Sequence, residues 1–227
     1  MLLEIVNASK SFAQVDATGA ATEELVQVLS DVTFSLDRGK SLAIVAPSGA
    51  GKSTLLSIAG LLLRPTSGDV LIDGESTAAM PDDARSALRA GKIGFLFQHT
   101  QLVGSLRAIE NVVLPAEFAA MQGQGSAAGT TERAAELLAQ FGLAERMYHF
   151  PSQLSVGQKR RIATARALIA QPDLIIADEP TNDLDPENAA KVVDALFAPV
   201  VEGRAGLLIA THDAELAERA DAVFRLS

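Results

Sequence analysis

The sequence contains no cysteine. That excludes disulfides and thiolate metal sites, and it fits a reducing compartment. It also lacks an excess of basic residues. Lys and Arg number 19 against 28 Asp and Glu, for a formal charge of -9. A chain that wraps nucleic acid needs clustered Lys and Arg to meet phosphates, so no nucleic-acid partner is expected. Long apolar runs are missing as well. LLSIAGLLL at 55–63 is the longest, far short of the ~20 residues of a membrane-spanning helix. The opening MLLEIVNASKSF has no basic start, and Glu4 interrupts its apolar residues, so it does not read as a signal peptide. No internal repeat is visible. Segment 55–153 lacks the heptads of a long coiled coil.

What is present is a chain of 227 residues, 48% hydrophobic, enough for one large domain or two small ones. The opening reads as strands, LLEIVNA and VLSDVTFSL, joined by a polar loop, QVDATGAATEE. SLAIVA (41–46) is a continuous apolar run, as expected for a strand buried on both faces. DVLIDGES reads as a strand turning at Asp73-Gly74, and KIGFLFQ (92–98) as another strand. Residues 105–150 read as mostly helical, with a flexible connection at 121–131. After 160, helices alternate with the apolar strands DLIIAD, GLLIAT and AVFRLS. Such alternation implies a parallel sheet. The expected fold is α/β. A mostly parallel core (about 1–98 and 160–227) would include an N-terminal antiparallel β part and accept an inserted helical part (about 99–159).

The chemistry starts at APSGAGKST (46–54). It is a phosphate-binding loop pattern, G-x-x-x-x-G-K-[ST], with its first glycine missing. Ala46 stands there, before Pro47, where a residue is pushed to extended geometry with negative φ. Glycine is indispensable only where φ is positive or a ligand comes close, so Ala46 is expected to be tolerated. Ala46, Pro47, Ser48, Gly49, Ala50, Gly51, Lys52, Ser53 and Thr54 would then wrap the phosphates of a nucleoside triphosphate. Lys52 would reach the β and γ phosphates, and the Ser53 hydroxyl would hold Mg²⁺. The helix that follows offers its N-terminus to the anion.

LIIADEPTNDLD (174–185) supplies a second acid site. The strand ends in Asp178, expected in the Mg²⁺ shell, and Glu179, placed to take a proton from attacking water. Adjacent strand residues face opposite sides, which would separate these two roles. In LSVGQ (154–158), Ser155 and Gln158 have the spacing of a capping box. Gly157 weakens a first helical turn unless something must approach closely. The run KRR (159–161) reads as a solvated helix face.

Together these motifs resemble the ATP-binding cassette (ABC) ATPases, over essentially the whole chain. APSGAGKST and LIIADE resemble the two Walker motifs, and LSVGQ resembles the signature LSGGQ, with Val156 in place of its first glycine. Gln98 resembles the Q-loop glutamine, a further Mg²⁺ ligand. NDLD, ending in Asp185, resembles the D-loop, and His212 the switch histidine. Phe12 sits where the family stacks an aromatic on adenine. The resemblance implies that Ser155, Val156, Gly157 and Gln158 meet the ATP of a second copy of the chain. It also implies an integral membrane permease as a separate partner chain, with this chain peripheral on the cytoplasmic face of the membrane. Val156 raises a difficulty if that position needs positive φ, which a valine resists.

LRPTSGDVLIDGE, KIGFLFQHTQLVGSLRAIENVVLPAEF and THDAELAERAD resemble the macrolide-exporter and lipoprotein-releasing type, with a narrower likeness to haem-exporter ATPases. A non-transport, membrane-associated mechanical regulator is the alternative. Leu102, Val103 and Leu106, after Gln98, are expected on the permease-facing groove.

Overall fold

The computed structural model describes residues 1–15, 21–47, 49–124 and 126–226. Two sheets form the frame. A five-stranded parallel sheet has the order β6-β7-β8-β3-β9, made of β3 (Ser41–Val45), β6 (Ile93–Leu96), β7 (Leu174–Asp178), β8 (Gly206–Ala210) and β9 (Ala222–Arg225). A four-stranded antiparallel sheet, β2-β1-β4-β5, joins β1 (Leu3–Val15), β2 (Ala21–Leu36), β4 (Ser67–Ile72) and β5 (Glu75–Ser76). Among the described residues seven α-helices cover them: α1 (Lys52–Ala59), α2 (Asp82–Lys92), α3 (Ala108–Met121), α4 (Thr130–Gln140), α5 (Val156–Leu168), α6 (Pro186–Val201) and α7 (Ala214–Arg219).

The central strands β7 and β8 are apolar up to Asp178 and through Ala210 because both faces are covered, whereas the edge strand β9 is mostly exposed. Along β7 and β8 the side chains alternate between two cores. Leu174, Ile176, Leu208 and Ala210 join the core under the antiparallel sheet and α1. Ile175, Ala177, Leu207 and Ile209 join the core shared with α3–α6. Each such Leu or Ile contributes about 1.5–3 kcal/mol on burial, so the central strands are the most firmly held part of the chain. Their C-terminal ends lie along one edge, where α/β sheets carry their ligands. β3 runs into the phosphate loop and β7 into Asp178, with β8 between them.

Two expectations change. Residues 14–24 do not form one loop, because β1 reaches Val15 and β2 starts at Ala21, paired across a register of Val15 with Ala21. Helix α2 was not expected. Its Asp82 and Asp83 in the first turn and Arg89 and Lys92 in the last complement the helix dipole, but its buried residue is Arg85, with Leu88 only partly buried against the core. The turn at Asp73-Gly74 is as expected, with φ of 51° and 78°, values suited to a tight two-residue hairpin. No helix among the described residues is long and apolar enough to cross a membrane.

Candidate nucleotide site

The phosphate loop leaves β3 with Ala46 outside the positive-φ region, packed against the core under the antiparallel sheet. Its methyl group is therefore accommodated, as the proline after it predicts. Gly49 and Gly51 are different, with φ of 81° and 92°. A Cβ on Gly51 would lie 2.9 Å from Leu29 Cδ2 and 3.0 Å from the Val28 carbonyl oxygen, whereas one on Gly49 would meet nothing within 4 Å. Gly49 thus leaves open space beside the loop. Lys52 Nζ donates to the carbonyls of Ala46 (2.7 Å) and Pro47 (3.3 Å). Helix α1 starts without a side-chain cap and without an acidic residue in its first turn. Its free N–H groups therefore face the loop, an arrangement that attracts anions. Ser48 lies outside the described residues.

A pocket of about 310 Å³ opens here, lined by Gly49, Gly51, Lys52, Ser53, Thr54 and, from β2, Val28, with Gln98, Asp178 and Glu179 opposite. Asp178 is buried at the end of β7. The Ser53 hydroxyl donates to its Oδ2 at 2.6 Å. Burial pushes the Asp178 carboxyl above the ordinary carboxylate range, against the opposing pull of that hydrogen bond. Glu179 lies one residue past the strand, with a φ of 47° and its backbone N–H donating to Ala210 at 2.9 Å. The expected opposite facing of the two acids does not hold. The left-handed turn brings both carboxylates to the same pocket. His212, from the end of β8, donates to Glu179 Oε2 through its backbone N–H (3.3 Å) and its ring Nδ1 (2.8 Å).

Gln98 reaches the pocket from the turn after β6. Arg160, on α5, holds that turn, donating to the carbonyls of Phe97 (2.7 Å) and Gln98 (2.8 Å). Arg160 is only 2% exposed, so the expected solvated face at 159–161 is wrong at its centre. Arg161 also turns inward, to the Phe141 carbonyl at 2.6 Å.

Other expected residues lie elsewhere. Ser155 caps α5 through the capping box, its side chain accepting from Gln158 N (3.3 Å) while Gln158 Oε1 accepts from Ser155 N (2.9 Å). Val156 is the first residue of α5, exposed and without positive φ, so the valine causes no backbone strain. No residue of 155–158 lines the pocket among the described residues. Asp185 caps α6, and its hydrogen bonds from Asn188 hold its carboxyl below the usual range. Phe12 is outside the pocket wall, exposed on β1 opposite Val26, with Lys10 Nζ 5.1 Å from its ring centre.

A second hollow, of about 410 Å³, is apolar. Leu62, Phe95, Phe97, Leu114 and Phe118 line it, with Arg89 and Arg166 beside them. Phe95 and Phe97 stack at 4.2 Å between centroids. Only Gln101 of the segment after Gln98 joins its wall. Leu102 packs into the helical core, Val103 is exposed, and Leu106 faces a smaller hollow beside Ile109 and Val113. None of these three lines this hollow, although α3 and the segment after Gln98 border it.

Residues 29–182 match the family model for ABC transporters. The chain belongs to the ABC transporter family. A lipoprotein-releasing system ATP-binding protein, LolD 1 of Rhodospirillum rubrum, is 42% identical over 224 residues, 99% of this chain and 94% of that protein. LolD of Nitrobacter winogradskyi is 44% identical over 199 residues, covering 88% of this chain and 84% of its own length. A dimeric structure of the ATP-binding cassette MJ0796 in a post-hydrolysis state, bound to ADP and Pi, superposes with a TM-score of 0.89 at 35% identity, covering 100% of this chain and 94% of that one. A second dimeric MJ0796 structure gives 0.90 at 35% identity, covering 99% and 94%.

As an ABC ATPase subunit, the chain binds ATP with Mg²⁺, and the pocket fits both. Positive-φ glycines leave room beside an uncapped helix N-terminus for phosphate oxygens. Ser53 Oγ and Asp178 are hard oxygen donors, already side by side. Among the described residues no group of three or more His, Cys, Asp or Glu gathers to hold a metal alone. Mg²⁺ is commonly held by one or two carboxylates and by substrate phosphates. Val28 and Arg160 went unexpected because no motif marks them. Each arrives through tertiary packing.

Proposed function

We propose that two copies of this chain hydrolyse ATP between them and drive a membrane permease that releases lipoproteins, from the cytoplasmic face of the membrane. The observation that carries this reading is the half-built pocket. It has the phosphate cradle, the Ser53–Asp178 pair and the Glu179–His212 pair, and no signature residue. Residues 155–158 of the second copy would complete it. Gly157 supports this. It has no positive φ, and a Cβ there would make ordinary contact with Leu184 at 3.4 Å. Nothing within one chain requires that glycine, which leaves room for a partner's nucleotide. The structural relatives are described as dimeric.

In this reading Lys52 binds the β and γ phosphates and Phe12 stacks on adenine. Ser53, Asp178 and Gln98 hold Mg²⁺, whose charge offsets that of the phosphate oxygens. Glu179 accepts the proton of the attacking water. His212 orients Glu179 and contacts the γ phosphate, and Asp185 holds the D-loop beside the second copy. The apolar groove, with its exposed Leu62, Leu114 and Phe118, is the permease dock, because such a patch has no reason to face water. Lipoprotein release rests on the LolD relatives, which are ATP-binding proteins of lipoprotein-releasing systems. Depleting the chain in its own cells should leave lipoproteins in the membrane where they are made. Normal lipoprotein sorting, with haem accumulating instead, would replace that cargo with haem.

A further inference from the structure

Consecutive carbonyls in an extended strand point to opposite sides. After β6 ends at Leu96, however, the carbonyls of Phe97 and Gln98 both turn to a single guanidinium. Arg160 donates to them through Nη1 at 2.7 Å and Nη2 at 2.8 Å. The planar fork of an arginine binds two acceptors in fixed geometry. It therefore fixes two successive peptide planes, and with them the direction in which Gln98 leaves the backbone. Gln98 itself is exposed and lines the nucleotide pocket, so few other contacts restrain it. Arg160 is nearly fully buried. Its helix, α5, opens with Val156 at the Ser155 cap.

We propose that Arg160 is a positioning residue that aims Gln98 at the metal of the ATP site. It touches neither substrate nor metal. Because α5 carries both the fork and the signature turn, displacement of that turn moves the Gln98 backbone with it. The proposal rests on the reading of Gln98 as a metal ligand given above.

The test is Mn²⁺ binding, read by electron paramagnetic resonance, on the full chain with a non-hydrolysable ATP analogue. Affinity for the analogue without metal is measured beside it. Arg160→Gln should weaken Mn²⁺ binding by about 10-fold or more, the usual loss when an outer support of a metal ligand is removed. Metal-free nucleotide affinity should hold. Arg160→Lys, whose ammonium cannot span both carbonyls, should fall in between, and it carries the test if the glutamine variant does not fold. Arg161→Gln is the structural control. It loses a bond to the Phe141 carbonyl on the same helix and should lower Tm without moving Mn²⁺ affinity. Gln98→Ala separates the two layers of the argument. Unchanged Mn²⁺ binding in Gln98→Ala overturns the metal role and the proposal together. A loss in Gln98→Ala with none in the Arg160 variants overturns the proposal alone, as does an equal loss in Arg161→Gln.

Discussion

The nucleotide pocket and the apolar groove are built in opposite ways. The pocket is made of glycines, Lys52, Ser53, Asp178 and Glu179, drawn from the loop and helix start after β3 and from the end of β7. The groove is made of phenylalanines and leucines drawn from the turn after α1, from β6 and the residue after it, and from α3. The pocket stores unfavourable features, namely a buried carboxylate and left-handed backbone at Glu179. The groove stores exposed apolar surface. Both are costly in the free chain, and features of this kind cluster at working surfaces. Residues 97–101 connect them. Phe97 and Gln101 line the groove, Gln98 lines the pocket, and α5 grips the segment at both ends. Arg160 holds Phe97 and Gln98, while Arg166 donates to Thr100 (2.8 Å) and Gln101 (2.9 Å).

The sharpest way to separate the two regions is Glu179→Gln. Turnover should fall by ~10²–10⁴, the range for a lost general base, while ATP still binds and the permease still docks. Normal turnover would remove Glu179 from its role and weaken the whole pocket assignment.

The converse variant is Phe118→Asp in the groove. Phe118 is 46% exposed, so the free chain should fold and bind ATP as before. Affinity for the permease should drop by roughly 30-fold or more, as for an aromatic anchor worth at least ~2 kcal/mol. Quantitative copurification with the permease measures it. Retained binding would move the dock elsewhere.

A smaller effect concerns stability. Burial raises Asp178 above its ordinary value of 3.8. The folded chain then holds a proton that the unfolded chain has released, and stability falls as pH rises from 3.8 through the folded value. Above that folded value the buried carboxylate ionises and is a burden to the free chain. Asp178→Asn should therefore raise Tm by on the order of 2–4 °C and at the same time weaken Mg²⁺ binding. The gain should shrink on acidification. Thermal melts at pH 7 and near pH 4 check this, and a lower Tm for the variant at pH 7 would show that the carboxylate stabilises the free chain.

The smallest effect is expected from Ala46→Gly. With no positive φ at that position, ATP affinity should stay unchanged. A large gain in nucleotide titration would show that the loop needed its missing glycine after all.

The same contrast governs what the sequence disclosed. The pocket was legible because its chemistry is local. Motif spacing placed Gly51, Lys52 and Ser53 on one turn, and the apolar runs of β3 and β7 announced buried strands. The groove was not legible, because Leu62, Phe95 and Phe118 are neighbours only after folding. Leu102 looked like a surface leucine and is partly buried against the helical core. Helix α2 escaped because Arg85 occupies the inward position where a hydrophobic residue marks most helices. Arg160 escaped for a related reason. Charge in a helix is read as solvated, and its partners are carbonyls 62 and 63 positions away in sequence. The Glu179 turn was hidden because alternation along a strand says nothing about the residue just past its end.

The central claim is that one chain holds half of an ATP site. It is tested most directly by ATPase activity per chain as the protein is diluted. A charge of -9 on each copy opposes pairing, so the free chain should be mostly monomeric at low concentration. Activity per chain should climb with concentration, and climb far more when the permease holds two copies together. Activity per chain that stays constant down to clearly monomeric concentrations would contradict the shared site.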